Sequence, residues 1–462
     1  MTTSWRPDPL GNGVKYLDVV DQIRRAIRSG ALRPGERLPT HRAFARDAGV
    51  AISTITLAYA ELARLHLVAG QVGRGTFVLA GSADAALFAA TASSKGADGI
   101  IDLSANSPAV NPDSDDLQLA LAALSAAHRV HEGYPSAASL LRGRLAMESL
   151  LNARGITMFD RDLVLTAGAQ HGLFAALLSL AGPGSRVLAE ELTFPGLKAA
   201  ARQLRIELIP VRLDEEGLIP DDLARQARRT SATVLVCVPT LQNPTGSCMS
   251  DQRRLDLAHV VRRNGITVIE DDVYGSLHDS ASLASAVLEC TIVLTSVSKT
   301  IEPSLRIGAL AGPSELISPI AAEVQLTSWS VSTASIEVLS RWALDGTAER
   351  RTTWQRNEIR ERWRIADQLL GRTDHAPAPH RYIRLDRSPD RIAAACLEAG
   401  VLVVPSSVLG VGPKPPKGIR ISLAAPRSRA TLHAALKIIQ PILLGGSSGQ
   451  RRGPRTASRT AG

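Results

Sequence analysis

Five short strand-like runs, Leu163–Leu165, Arg186–Leu188, Val234–Val238, Thr267–Ile269 and Thr291–Leu294, alternate with helical stretches through the middle of the chain. Few folds tolerate that alternation. It predicts a mostly parallel sheet with helices on both faces, an α/β architecture. In such sheets ligands gather at the carboxyl ends of the strands. The residues that follow each run are therefore the ones to read for chemistry.

The last run leads into Ser296-Val-Ser-Lys299-Thr-Ile-Glu-Pro303-Ser-Leu-Arg306-Ile-Gly308. A lysine amine condenses with aldehydes, while Ser296 and Arg306 carry donors suited to a phosphate. The segment fits a phosphorylated aldehyde. Thr166-Ala-Gly168-Ala169-Gln170 follows the first run and opens the helical run His171–Ala181, whose first amides make an anion site. Asn243-Pro244-Thr245-Gly246 comes after Val234–Val238, and Glu270-Asp271-Asp272-Val273-Tyr274 after Thr267–Ile269. Each piece has a plainer reading alone: a helix entry, a turn, a solvated strand end. Phe194, in Leu192-Thr-Phe-Pro-Gly196, reads equally as a core aromatic. Four segments in one order are harder to dismiss.

Together they resemble the fold-type I, pyridoxal-phosphate-dependent aminotransferases. The resemblance implies pyridoxal 5'-phosphate on Lys299, with its phosphate held by Gly168, Ala169, Gln170, Ser296 and Arg306, and by Tyr134 of a partner subunit. It implies Asn243 and Tyr274 on the phenolic oxygen, Asp271 keeping the ring nitrogen protonated, and Phe194 stacked on the ring. Lys299, Asp271 and Tyr274 would be catalytic. Arg420, in Gly418-Ile-Arg-Ile-Ser422, stands where the family binds a substrate carboxylate, a bidentate task suited to guanidinium. The other reading is an arginine on a solvated edge strand. Two departures occur. The run Tyr134-Pro-Ser-Ala-Ala-Ser-Leu-Leu-Arg142 is shorter than the family's, and Ser304 replaces a common glycine. From about Trp329 onward the chain is expected to supply a connecting helix and a small C-terminal α+β subdomain.

The first 80 residues read differently. Leu17, Val20, Ile23 and Ile27 fall at helical spacing across Tyr16–Ser29, which Gly30 and Pro34 end. Thr40 suits an N-cap for a helix over His41–Ala48, Gly49-Val50 makes a turn, and Ala51 or Ser53 begins a second helix with Ile55, Tyr59 and Leu62 on one face. Gly73-Arg74-Gly75-Thr76-Phe77-Val78 reads as a hairpin turn and strand. This is a winged helix-turn-helix, an α+β unit, and it resembles the GntR-type DNA-binding domain. The resemblance implies double-stranded DNA as partner, with Arg42, Ser53, Thr54, Thr56 and Arg74 at contacting positions and the second helix in the major groove. Relatives usually carry Gly-Val-Ser-Arg where this chain has Gly49-Val50-Ala51-Ile52. Isoleucine offers only apolar contact, for example to a thymine methyl, so either the operator is unusual or DNA affinity is weaker. His66 also stands where the family favours a capping glycine.

Charge follows the same division. The chain has 53 Lys and Arg against 44 Asp and Glu, a net +9. That excess lies in residues 1–80, with 11 basic against 6 acidic, and in residues 446–462, with 4 arginines and no acid. The middle is neutral. Basic ends favour a polyanionic partner, but residues 446–462, with Gly, Ser, Pro and Arg and no large apolar residue, read as a basic disordered tail. Residues 81–99, rich in Ala, Ser, Asp and Gly, read as a linker, and Ile100-Ile-Asp-Leu103 begins the second domain, 100–445. The chain shows no membrane-length apolar run and no signal core. Cys237, Cys248, Cys290 and Cys396 lack paired or metal-ligand spacing, which predicts buried thiols in a reducing cytoplasm and no metal.

A GntR-type reader joined to an aminotransferase-like domain resembles the MocR subfamily of bacterial transcription regulators. That resemblance implies a homodimer with DNA heads beside the partner's large domain, and an amino-group effector, or the cofactor itself, as signal. The alternative is a working aminotransferase that keeps a DNA-binding head, in which Lys299 also shuttles protons. A structural protein with a dead cofactor site survives only if Lys299 is unreactive.

Overall fold

The computed structural model describes residues 5–9, 16–28, 31–32, 36–64, 67–71, 75–78, 99–127, 133–157 and 161–445. The expected linker, the tail, His66 and Arg74 lie outside them.

At the N-terminus, helix α1 (Tyr16–Arg28) buries Val19, Val20 and Ile23. Helix α2 (His41–Ala48) starts where the Thr40 hydroxyl accepts the Ala43 amide at 3.3 Å, which satisfies one of the orphan donors of a helix start. Helix α3 (Ile52–Arg64) begins at Ile52 and turns Ile55, Tyr59 and Leu62 inward. Strands β1 (Val68–Gln71) and β2 (Gly75–Val78) pair antiparallel, with Val68 opposite Val78. All five elements share one apolar core with Leu38, Phe44 and Leu67. Tyr59 reaches across it to donate to the Pro39 carbonyl at 2.7 Å. The winged helix-turn-helix expected from the sequence is present.

The body of the chain opens with β3 (Ile101–Asp102) and the helices α4 (Asp116–Ala126) and α5 (Ala137–Asn152). Its main sheet contains β4 (Arg161–Thr166), β5 (Arg186–Glu190), β6 (Glu207–Val211), β9 (Val234–Cys237), β10 (Thr267–Asp271), β11 (Thr291–Ser296) and β12 (Gly308–Pro313), in the order β4-β12-β11-β10-β9-β5-β6. A small hairpin, β7 (Leu213–Asp214) with β8 (Gly217–Leu218), stands apart. Helices α6 (Ala169–Leu180), α7 (Pro195–Gln203), α8 (Pro220–Thr230), α9 (Asp251–Asn264) and α10 (Ser314–Ser328) connect the strands. All five sequence-predicted runs are strands of this sheet. Two strands were not predicted: β6 at one edge, and β12, which runs antiparallel to both β11 and β4. Apolar clusters cover both faces of the sheet.

After α11 (Thr333–Leu344), the 24-residue helix α12 (Thr347–Leu370) leads to the C-terminal subdomain. There β13 (His380–Arg384), β15 (Val404–Pro405) and β16 (Gly418–Ser422) form an antiparallel sheet in the order β13-β16-β15, with α13 (Pro389–Glu398) and α14 (Arg429–Leu444) against it. Its strand β14 (Val401–Leu402) pairs in parallel with β3, so the segment that follows residue 99 is stitched into the C-terminal subdomain. Between the head and this subdomain, Arg24 on α1 meets Asp390 on α13 of the same chain at 3.4 Å.

Candidate functional site

Four strand ends converge as the topology requires. At the end of β4, Gly168 precedes α6 with φ 85° and no side-chain cap, so the amides of that first turn face outward unsatisfied. Arg306 folds its guanidinium over this glycine: a Cβ on Gly168 would lie 2.5 Å from Nη2. The backbone angle requires glycine there, and an added Cβ would push the guanidinium tip aside. Arg306 also contacts the Ser298 hydroxyl at 3.3 Å. Ser298 was not singled out in the sequence, while the Ser296 hydroxyl lies in the turn, accepting the Ser298 amide at 3.1 Å and standing 3.0 Å from the Ile307 carbonyl. The Gln170 side chain turns away, donating to the Gly196 carbonyl at 3.0 Å. Ala169, Gln170, Ser298 and Arg306 thus bring amides, a hydroxyl and a guanidinium to one place, the donor set of an oxyanion.

Lys299 ends the turn after β11, and its amine donates to the Asn106 carbonyl at 2.5 Å. Burial pushes the amine down to about 8, with the Arg420 guanidinium adding to the effect and Asp271 opposing it. Such an amine is deprotonated, hence nucleophilic, in a far larger fraction near physiological pH than an ordinary lysine. Asp271, at the end of β10, is buried and takes the Val273 amide at 3.3 Å. Burial pushes its carboxyl up to about 7, against the pull of that amide and of Lys299. Next to it Asp272 is fully committed, held at both oxygens by Arg154 at 3.0 and 3.1 Å. The adjacent acids therefore differ: one is structural, and the other has no paired cation among the described residues.

A third group lies between the main sheet and the C-terminal subdomain. Asn106 donates to the Tyr274 hydroxyl at 2.6 Å and to His380 Nδ1 at 3.0 Å. Because His380 Nε2 faces the Gln242 carbonyl at 2.8 Å, the proton sits on Nε2 and Nδ1 accepts. Burial holds this imidazole down to about 3, so it is neutral. Tyr274 is buried, which pushes its hydroxyl up, and Asn243 also hydrogen-bonds it. Asn243 Oδ1 accepts from Arg420 at 2.9 Å, and Arg420 reaches the Ser104 carbonyl at 2.5 Å. Arg420 lies on the central strand β16 and is 2% exposed, which removes the solvated-edge reading. Among the described residues, two buried atoms here have no hydrogen-bond partner, Asn106 Oδ1 and Arg420 Nε; buried polar atoms are normally satisfied.

The structure gathers Lys299, Asp271, Tyr274, Asn243 and Arg420, and places Gly168, Ala169, Ser296 and Arg306 at the adjoining helix start. Phe194 caps α7 and packs in the core between the two sheets. Tyr134 is not gathered: it stands 77% exposed, its ring 5.7 Å from that of Trp329. In the head, Arg42, Ser53 and Thr56 are exposed and Thr54 is half-buried. Asn106, Ser298 and His380 were missed. Asn106 and Ser298 left a signal, each following a strand-like run as the other site residues do, and His380 left none. The thiols are not all buried, since Cys248 and Cys290 keep partial exposure. Among the described residues no helix is long and apolar enough to cross a membrane.

Comparison with known proteins adds to this geometry. The family model of aminotransferase class I and II matches residues 98–439, and that of bacterial regulatory proteins of the gntR family matches residues 15–78. An uncharacterized HTH-type transcriptional regulator of Bacillus subtilis, YdeF, is 27% identical over 95% of this chain and 97% of its own length. The HTH-type pyridoxine biosynthesis transcriptional regulator PdxR of Corynebacterium glutamicum is 27% identical, covering 76% of this chain and 78% of its own. Among solved structures, an archaeal alanine:glyoxylate aminotransferase superposes with a TM-score of 0.70 at 19% identity, over 84% of this chain and 99% of its own. That last likeness concerns the fold.

Proposed function

The chain belongs to the aminotransferase class I and II family and carries a gntR-type head, and from that premise we propose a transcription regulator that binds pyridoxal 5'-phosphate at Lys299 and senses an amino compound. The observation that carries this reading is the Lys299 amine, held at the Asn106 carbonyl and pushed down to about 8. A lysine so placed is poised to capture an aldehyde.

The residues fit the cofactor. The α6 amides of Ala169 and Gln170, the Ser298 hydroxyl and Arg306 would hold its phosphate, against a Gly168 where a side chain would push the Arg306 guanidinium aside. Ser296 fixes the turn that presents Ser298. Asp271, buried and with no paired cation among the described residues, suits a protonated ring nitrogen. Asn243 and Tyr274 would take the phenolic oxygen, and Phe194 would cover the ring. When bound, the cofactor supplies an aldehyde for amines and an electron-withdrawing ring. Lys299 then serves as anchor and, once displaced, as the nearest base. The Arg420 guanidinium would orient a ligand carboxylate, using the Nε that has no hydrogen-bond partner among the described residues.

The signal would pass to DNA through differential affinity of the amino compound for two arrangements of the heads. The working state is a homodimer. Tyr134, Trp329 and Leu326 stand 77%, 63% and 80% exposed, large apolar side chains that a second copy would cover, and Tyr134 would reach the partner's phosphate there. One experiment separates sensing from turnover. Protein loaded with pyridoxal phosphate is mixed with a panel of amino acids and amines while absorbance and keto-acid release are followed. A spectral shift with one amine and no keto acid beyond a single turnover supports the regulator. Sustained keto-acid production makes the chain an aminotransferase with a DNA-binding head. Lys299→Ala is expected to lose the visible band while keeping its helix content; a retained band contradicts the assignment of Lys299.

A further inference from the structure

The first turns of α3 carry none of the side chains that read guanine bidentately. Between Ala51 and Ala60 there is no charged residue and no Asn or Gln. Ile52, Ser53, Thr56, Leu57 and Ala60 are exposed, and at the helical angle they form one stripe spanning about 140°. Ile52 is 50% exposed and Leu57 57%. The inward face of the helix is already filled by Ile55, Tyr59 and Leu62, so the head's own packing does not account for these two side chains.

The major-groove code limits what such a surface distinguishes. Guanine is read by Arg or Lys, adenine bidentately by Asn or Gln, and cytosine by a carboxylate; apolar side chains read the thymine methyl. The Thr56 hydroxyl donates to the Ile52 carbonyl at 3.0 Å and lies 3.3 Å from His41 Nδ1, and an acceptor there would suit adenine N6 and cytosine N4 alike. The choice rests on the apolar side chains: only thymine offers a methyl, so a methyl-seeking stripe matches an A·T pair.

We infer that α3 reads its operator through thymine methyl groups, in an A·T-rich half-site, with Ile52 and Leu57 as the contacting side chains. This rests on the reading that α3 meets DNA. Phosphate contacts by exposed arginines such as Arg42 then give position rather than sequence.

Deoxyuridine tests this directly, because it differs from thymidine only by the methyl. The full-length protein is used to select duplexes from a random pool, and the best duplex is then titrated by fluorescence anisotropy with each thymidine replaced in turn. Half-sites rich in A·T are expected, with a loss of about fourfold in affinity per contacted methyl. Ile52→Ala should show the same loss on the thymidine duplex and no further loss on replacement at its partner base. Equal affinity for the deoxyuridine duplexes, or a selected half-site with a G·C core, overturns the inference while leaving DNA binding intact. Failure to enrich any sequence overturns the DNA-binding reading itself, and the thymine preference with it.

Discussion

Burial moves Lys299 and Asp271 toward neutrality from opposite sides, and each shift has a measurable consequence. Capture of pyridoxal phosphate requires the neutral amine, so its rate should rise with pH and level off above about 8, not near 10.5. Stopped-flow absorbance across pH 6–11 checks this. Asp271 is raised from 3.8 to about 7 in the folded chain, so the folded state holds the proton more tightly than the unfolded one. Its contribution to stability therefore falls as pH rises from about 4 to 7. Asp271→Asn should melt higher than the parent at pH 8 without cofactor, by a margin that shrinks toward pH 4, and should bind pyridoxal phosphate at least tenfold more weakly. Thermal melts and spectrophotometric titration report the two halves. The acid and the lysine were legible because each directly follows an apolar run. His380 was not, since it meets this network through Asn106, 274 residues away along the chain, which itself meets Tyr274 across 168.

At the level of elements, the strands rich in Val, Ile and Leu announced themselves and two others did not. Strand β12 reads Gly-Ala-Leu-Ala-Gly-Pro, poor in β-branched residues. The reason is steric: a Cβ on Gly308 would lie 2.7 Å from the Thr295 carbonyl and 2.9 Å from Gly168, so the strand must be small where it carries Arg306 up to the α6 start. Strand β6 contains Pro210, tolerated because the strand is at the sheet's edge. The Arg306–Gly168 contact gives a test that separates phosphate from aldehyde. Gly168→Ala displaces the guanidinium and strains the backbone, at a cost of about 1–2 kcal/mol. Affinity for pyridoxal 5'-phosphate should drop roughly tenfold or more, with each 1.4 kcal/mol a factor of ten. Affinity for pyridoxal without the phosphate should hardly change. Parallel titrations of the two aldehydes measure the difference.

At the scale of the whole molecule, the head has an apolar core of its own and the body another set. Deleting residues 1–80 should therefore abolish specific DNA binding and leave the visible cofactor band in place; retained operator binding in a mobility-shift assay would contradict that separation. The division was legible from the change of hydrophobic period and the charge excess. The attachment of one part to the other was not, because it depends on a two-residue strand with no pattern to announce it. Strand β3 is hydrogen-bonded to β14, with Ile101 donating to the Gly400 carbonyl at 2.9 Å and Ser422 to that of Leu103 at 2.8 Å. The head's other tie, Arg24 to Asp390, ends on the same C-terminal subdomain. The stretch that follows residue 99 is thus anchored beside Arg420, whose guanidinium reaches the Ser104 carbonyl. A ligand carboxylate taken by that arginine would press on the same few residues that fasten the body's first strand, and on the subdomain that Arg24 of the head also touches.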